Sequence, residues 1–222
     1  MKKIFWDNPY QHTLTTKVAL INNNEFLPEE TIIYSFAGGQ ESDRAFINNI
    51  EVLSSRRASN DIYYTLPADH GLSNGSEITM VIDWTRRSRL MRLHFAAELI
   101  LEIVTQNLQL EKIGAHIAET KSRIDFISDQ NISSAFESIL AQYNEIIKNN
   151  LTIQTGFADI ENQRRFWKID GFAEVPCGGT HVRSTAEVGY VTLKREHPGK
   201  SIERIEIRLI DDSPLKNDLF PL

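Results

Sequence analysis

From Arg86 to about Gln106 the chain carries no Gly or Pro and is rich in helix-favouring residues, and no other stretch restricts its fold so much. Beyond Arg92 the run is apolar on nearly every side, with Leu93, Phe95, Leu99, Ile100, Leu101, Ile103 and Val104, so the helix must be buried. Thr85 is its expected N-cap. A helix apolar all round needs other elements to cover it, and β-rich segments flank it on both sides. Before it, Lys17 to Ile21, Thr31 to Phe36, Ala45 to Leu53, Asp61 to Leu66 and Ser76 to Asp83 read as short strands between turn residues, the spacing of a small barrel or sandwich. After it, Ile113 to Phe126 reads as extended, and Ser134 to Lys148 as a second helix opened by a capping box of Ser134 and Glu137. Arg204 to Leu209 alternates polar and apolar, as a strand with one buried face does. This order predicts an α+β fold and excludes a doubly wound sheet. A small N-terminal β-barrel-like domain over residues 1–85 is followed by an α+β domain over 86–222, with helices packed on a mainly antiparallel sheet.

A chain of 222 residues with 41% hydrophobic content can bury a core without disulfides or structural metal. No apolar run approaches the roughly 18 residues that a membrane span needs, and the opening MKKIFWDNPYQHT lacks a hydrophobic signal core, so the chain reads as cytoplasmic. The net charge of −6 speaks against nucleic acid, because phosphate binding is driven by Lys and Arg. Net charge is not its distribution, however, and Arg86, Arg87, Arg89 and Arg92 cluster at the start of the long helix. On charge alone they read as a solvated helix face.

Two pairs of residues carry chemistry. His94 and Glu98 stand four apart on the buried helix and so project from one face. An interior carboxylate there costs several kcal/mol unless it is paired or bound to metal. In Val175-Pro176-Cys177-Gly178-Gly179-Thr180-His181 a thiol and an imidazole are separated by three residues, two of them glycines that let the loop fold both toward one point. Together His94, Glu98, Cys177 and His181 make a chemically complete zinc set, although either spacing alone is common. The rival reading is a nucleophilic Cys177 with His181 as its base, which lacks an orienting third group.

The segment Cys177-Gly178-Gly179-Thr180-His181-Val182, followed by Thr185-Ala186-Glu187-Val188-Gly189, closely resembles the signature of the editing domain shared by alanyl-tRNA synthetases and freestanding alanyl-tRNA editing proteins. Thr31 to Asp43, with Gly38-Gly39-Gln40, resembles that family's glycine motif with its preceding threonine and tyrosine. Asp83-Trp84-Thr85-Arg86-Arg87 to His94 resembles the lead into its first metal motif, and Gly114 to Phe126 fits the strand in which it keeps a lysine, arginine and aspartate, here Lys121, Arg123 and Asp125. The resemblance runs from about Thr31 to Ile210.

What it implies is a trans-acting, zinc-dependent aminoacyl-tRNA deacylase that hydrolyses serine, with glycine as a second candidate, from mischarged alanine tRNA, with no module for aminoacylation. His94, Cys177 and His181 match zinc ligands. Gln40 and Thr31 match residues that the family places near the aminoacyl group, with Gly38 and Gly39 letting the backbone approach substrate and Thr31 meeting the serine hydroxyl. Gln40 joins the ligands as a catalytic residue, and Arg86, Arg87 and Arg89 are expected to bind the tRNA backbone. The family's first metal motif is His, Thr, Ala, any residue, His; this chain has His94-Phe95-Ala96-Ala97-Glu98. Glu98 is expected to replace the second histidine as ligand, and Glu98→His to recreate the family's set and restore or strengthen binding. Two other functions fit the same residues: a tRNA-binding or regulatory homologue in which Phe95 and Glu98 have reduced catalysis, and a metal-dependent hydrolase of a small amino-acid ester or amide.

Overall fold

The computed structural model describes residues 1–211 and 213–215. It has the expected α+β class, its sheets being mainly antiparallel, and forms two compact units. None of the described helices is long and apolar enough to cross a membrane.

The first unit contains Met1–Ala37 and Glu41–Ser88. Its elements are β1 (Lys2–Lys3), α1 (Ile4–Asp7), β2 (Thr13–Asn22), β3 (Glu25–Pro28), β4 (Glu30–Thr31), β5 (Ala45–Ile47), β6 (Ile50–Glu51), β7 (Ser54–Ala58), β8 (Asp61–Thr65) and β9 (Glu77–Ile82). Seven of the strands form one sheet in the order β6-β5-β9-β2-β3-β8-β7, while β1 and β4 pair in parallel. The alternation in β9 turns Ile78, Met80 and Ile82 inward against Val18, Phe26, Ile47, Ile62 and Tyr64. Asn48 and Asn49, both at positive φ, close the two-residue hairpin between β5 and β6, a conformation that Asn tolerates well. Of the expected strand Thr31 to Phe36, only Thr31 pairs as strand; β3 and β7 were not expected at all.

The second unit contains Gly38–Gln40 and Arg89–Leu215. The long helix α2 (Trp84–Leu108) begins in the first unit and continues into the second. Its cap is Asp83, whose carboxylate accepts the Arg86 N–H at 3.0 Å, and Thr85 lies inside the first turn. Then come β10 (Glu111–Ile117), β11 (Ser122–Ile127), α3 (Phe136–Lys148), β12 (Gln154–Asp159), β13 (Arg164–Ile169), β14 (Ala173–Pro176), α4 (Thr185–Val188), β15 (Val191–Gly199) and β16 (Ile202–Leu209). One antiparallel sheet has the order β10-β11-β16-β15 and another β12-β13-β14. Ser134 does not cap α3: it lies in a 3-10 turn (Ile132–Ala135) capped by Asn131, whose Oδ1 accepts the Ser133 N–H. The short segment Gly38–Gln40 belongs here and not with the residues around it, because Gly39 O accepts the Ile117 N–H at 2.8 Å and Gln40 bridges Ile117 in parallel. A Cβ on Gly39 would lie 2.6 Å from Ala115 O, so the glycine admits close backbone pairing.

Candidate metal centre

Both ends of the loop that carries Cys177 and His181 are pinned. Where β14 ends, the Cys177 N–H donates to Arg165 O on β13 at 2.9 Å. Farther on, Ile153 N–H donates to Arg183 O, Thr185 N–H to Leu151 O, and Leu151 N–H to Thr185 Oγ1, each at 2.9 Å. The loop is thereby presented to α2, where His94 and Glu98 project. At Gly179 a Cβ would fall 1.9 Å from His94 Cε1, so only glycine leaves room for that imidazole. Flexibility, which the glycine pair also supplies, is here the weaker requirement; space is the stronger.

The ligand-type atoms of His94, Cys177 and His181 all lie within 4.8 Å of one another. Cys177 Sγ is 3.4 Å from His94 Nε2 and 3.3 Å from His181 Nε2. Glu98 Oε1 is 3.3 Å from His94 Nε2 and 3.7 Å from Cys177 Sγ. With Zn–N near 2.0 Å and Zn–S near 2.3 Å, the edge of a tetrahedral site is about 3.5 Å, so His94, Cys177 and His181 could hold an ion of that size, while Glu98 borders this group of three without belonging to it. His94 and His181 are buried, and the Glu98 side chain retains only 14% exposure.

Burial opposes charge on His94, Cys177 and Glu98, yet their neighbours outweigh it. For His94 the adjacent Cys177 and Glu98 raise the pKa; for Cys177 the imidazoles of His94 and His181 lower it. Glu98 is likewise lowered, by His94, by the Trp167 hydrogen bond and by His181. The cluster thus favours a thiolate and a carboxylate around a proton, a position that a divalent cation can take by displacing the proton.

Gln40 is wholly buried behind His94. Its Oε1 accepts from His94 Nδ1 at 2.6 Å and from the Thr180 N–H at 3.2 Å, while its Nε2 donates to Thr180 Oγ1 at 2.9 Å. This fixes the His94 tautomer and aims Nε2 at the cluster, the arrangement of an outer-shell partner. The Gln40 amide thus engages both His94 and Thr180. Thr180 in this role is not among the residues expected from sequence, and neither is Trp167, whose indole N–H donates to Glu98 Oε2 at 2.9 Å. Trp167 could have been noticed, since in Arg164–Ile169 it falls on the inward-facing register.

Other expected residues stand elsewhere. Thr31 is fully buried in the first unit, where its Oγ1 accepts the Ile33 N–H at 3.0 Å and meets Tyr64 Oη at 2.8 Å. Arg87 is not available to phosphate. Its side chain is wholly buried against Asp43, and it also donates to Pro9 O at 2.9 Å and Ile32 O at 2.6 Å. Arg86 and Arg89 are partly exposed and paired with Glu41 and Glu119. Arg123 bonds Asp125.

The family model for the Threonyl and Alanyl tRNA synthetase second additional domain matches residues 165–206, which include the Cys177–His181 loop. The chain is 28% identical to alanyl-tRNA editing protein AlaX-M of Pyrococcus horikoshii, over 94% of this chain and 97% of that protein. It is 27% identical to AlaX-M of Methanosarcina barkeri, over 91% and 96% respectively. With the alanine–tRNA ligase of Methanococcus aeolicus it shares 27% identity over 98% of its length, but spans only 27% of the ligase. The resemblance read from the motifs therefore holds along nearly the whole chain, which is similar to the freestanding alanyl-tRNA editing proteins of the AlaX type.

Proposed function

We propose that this protein is a metal-dependent aminoacyl-tRNA deacylase that acts in trans in the cytoplasm, removing serine from mischarged alanine tRNA. The observation that carries the reading is the convergence of His94, Cys177 and His181 within 4.8 Å, in a chain that spans nearly all of its editing-protein relatives. On this reading the first 85 residues are the barrel-like N-terminal domain and 86–222 the editing domain, with Glu98 as fourth ligand. Zinc in such a site supplies Lewis-acid chemistry, polarising an ester carbonyl or acidifying water. The chain's own residues do the rest: Gln40 holds the His94 tautomer, and Cys177 and Glu98 bring negative charge that anchors the cation. Because these two anions weaken its Lewis acidity, positioning of the ester must contribute more.

For serine selection Thr31 remains the candidate, a role in which its hydroxyl exchanges Tyr64 for the substrate hydroxyl. A site built to hydrogen-bond that hydroxyl discriminates strongly against alanine, which lacks it. Arg86 and Arg89 are the proposed backbone contacts, each trading its carboxylate partner for phosphate. Hydrolysis of seryl, glycyl and alanyl esters on alanine tRNA, with metal-loaded and chelator-stripped protein, tests the proposal. Metal-dependent release of serine in preference to alanine is expected. Tight tRNA binding without hydrolysis would replace it by a binding role, and cleavage of small esters without tRNA affinity by a small-molecule hydrolase.

A further inference from the structure

The two positions at which the chain departs from the family's metal motif, Phe95 and Glu98, meet at one residue. Trp167 on β13 is fully buried, and its indole N–H donates to Glu98 Oε2 at 2.9 Å. The other carboxylate oxygen, Oε1, faces His94 Nε2 at 3.3 Å and Cys177 Sγ at 3.7 Å. Phe95, also fully buried, stands edge-on to the Trp167 ring at 5.1 Å and to the His181 ring at 5.6 Å. Phe95 thus fills the space between the indole and a metal-site imidazole.

We infer that Trp167 is a positioning residue that commits position 98 to a carboxylate, holding Oε2 so that Oε1 alone is presented to the cluster. The inference rests on the proposed reading of Glu98 as a ligand. An indole N–H can only donate, and an ionised carboxylate can only accept, so the two are matched. A neutral histidine that binds metal through one nitrogen carries its proton on the other. At position 98 such a ring cannot accept from the indole while it ligates, and the buried indole N–H loses its acceptor. The departures are then one coherent arrangement built around Trp167, not the decay of a histidine site. It follows that Glu98→His, which the ligand set alone suggests would restore or strengthen binding, weakens it while Trp167 is present.

The test compares the wild type, Trp167→Phe, Glu98→His, the double variant and Glu98→Gln, by zinc competition against a chromophoric chelator and by visible absorption with cobalt(II). Loss of an outer-shell partner costs about 10- to 100-fold in metal affinity. Glu98→His is expected to bind zinc at least about 10-fold more weakly than the double variant, in which no indole N–H is orphaned. Trp167→Phe alone is expected to weaken binding and shift the cobalt spectrum as Oε2 is freed. If Trp167→Phe has the same effect in both backgrounds, the inference is overturned. If Glu98→Gln keeps wild-type affinity, Glu98 is no ligand and the underlying reading falls with it; if Glu98→Gln loses metal but the cycle is additive, only the role of Trp167 falls. Should Trp167→Phe not fold, hydrogen exchange at the Trp167 indole decides. Protection in the wild type that is lost in folded Glu98→His supports the inference, and equal protection in both refutes it.

Discussion

Two buried polar groupings, one in each unit, answer the cost of burial in different ways. In the first unit, Arg87 faces Asp43 and two backbone carbonyls, and Asp43 also accepts the Tyr34 N–H at 2.6 Å. Thr31 is similarly engaged with Ile33 and Tyr64, whose hydroxyl donates in turn to Ile33 O at 2.7 Å. Charges cancel and donors meet acceptors within the unit. In the second unit the polar atoms converge on one point, Cys177 Sγ, which is contacted by His94, His181 and Glu98 at 3.3 to 3.7 Å. That grouping retains chemistry for an ion. Burial of polar residues alone does not separate site from scaffold; convergence does.

The largest expected effect breaks the closed grouping. Arg87→Ala leaves Asp43 buried without its cation and should destabilise the first unit by about 3–5 kcal/mol in denaturant titration. If the variant is stable and instead binds tRNA with a flatter salt dependence, Arg87 is an interface residue and the contrast fails. Next, Cys177→Ser should lower zinc affinity by about 100-fold or more while changing metal-free stability little. A variant that retains wild-type affinity but loses hydrolysis would favour the nucleophilic-cysteine reading. Gln40→Leu frees the His94 tautomer and should weaken zinc binding by about 10- to 100-fold. A wild-type affinity with impaired hydrolysis would return Gln40 to the substrate side. Thr31→Val removes one buried hydrogen-bonding group and should cost about 1–2 kcal/mol in stability. If serine-over-alanine discrimination survives in the folded variant, Thr31 belongs wholly to the closed grouping.

The smallest effect concerns acid. In the second unit Glu203 is held down to about 2, chiefly by its Arg195 hydrogen bond, against the opposing effect of burial, with help from the Ile132 N–H and His197. A depressed carboxyl contributes stability that is full above its unfolded value, near 4.3, and is lost as pH falls toward its folded value. Unfolding midpoints should therefore drop between about pH 4.5 and 2, and less steeply in Glu203→Gln. Equal slopes would remove this ion pair from the account of stability.

Much of this was legible in the sequence because it depends on local pattern. The long helix is legible in composition, and the His94–Glu98 and Cys177–His181 pairs offer candidate donors that gain weight only when taken together. What escaped depends on pairing between distant segments. Asp83 caps the helix in place of Thr85, a choice set by where the β9 strand ends. In β7, Ser54–Ala58, no apolar alternation marks a strand, and its extended form comes from pairing with β8. The resemblance places Gln40 near the aminoacyl group, and that its amide also lies behind the His94 imidazole depends on the bridge to Ile117, which no local pattern announces. Trp167 carried no signal beyond an apolar position on a strand; its function appears once Glu98 is seen as its acceptor.

The central claim is that the convergent grouping holds a metal that serves ester hydrolysis on tRNA. Single-turnover deacylation of seryl alanine tRNA, followed as zinc is titrated into chelator-stripped protein, tests it most directly. The account predicts that hydrolysis rises with bound zinc, saturates at one equivalent per chain and is absent in Cys177→Ser. Hydrolysis at full rate in stripped protein, or none with one zinc bound per chain, would contradict it.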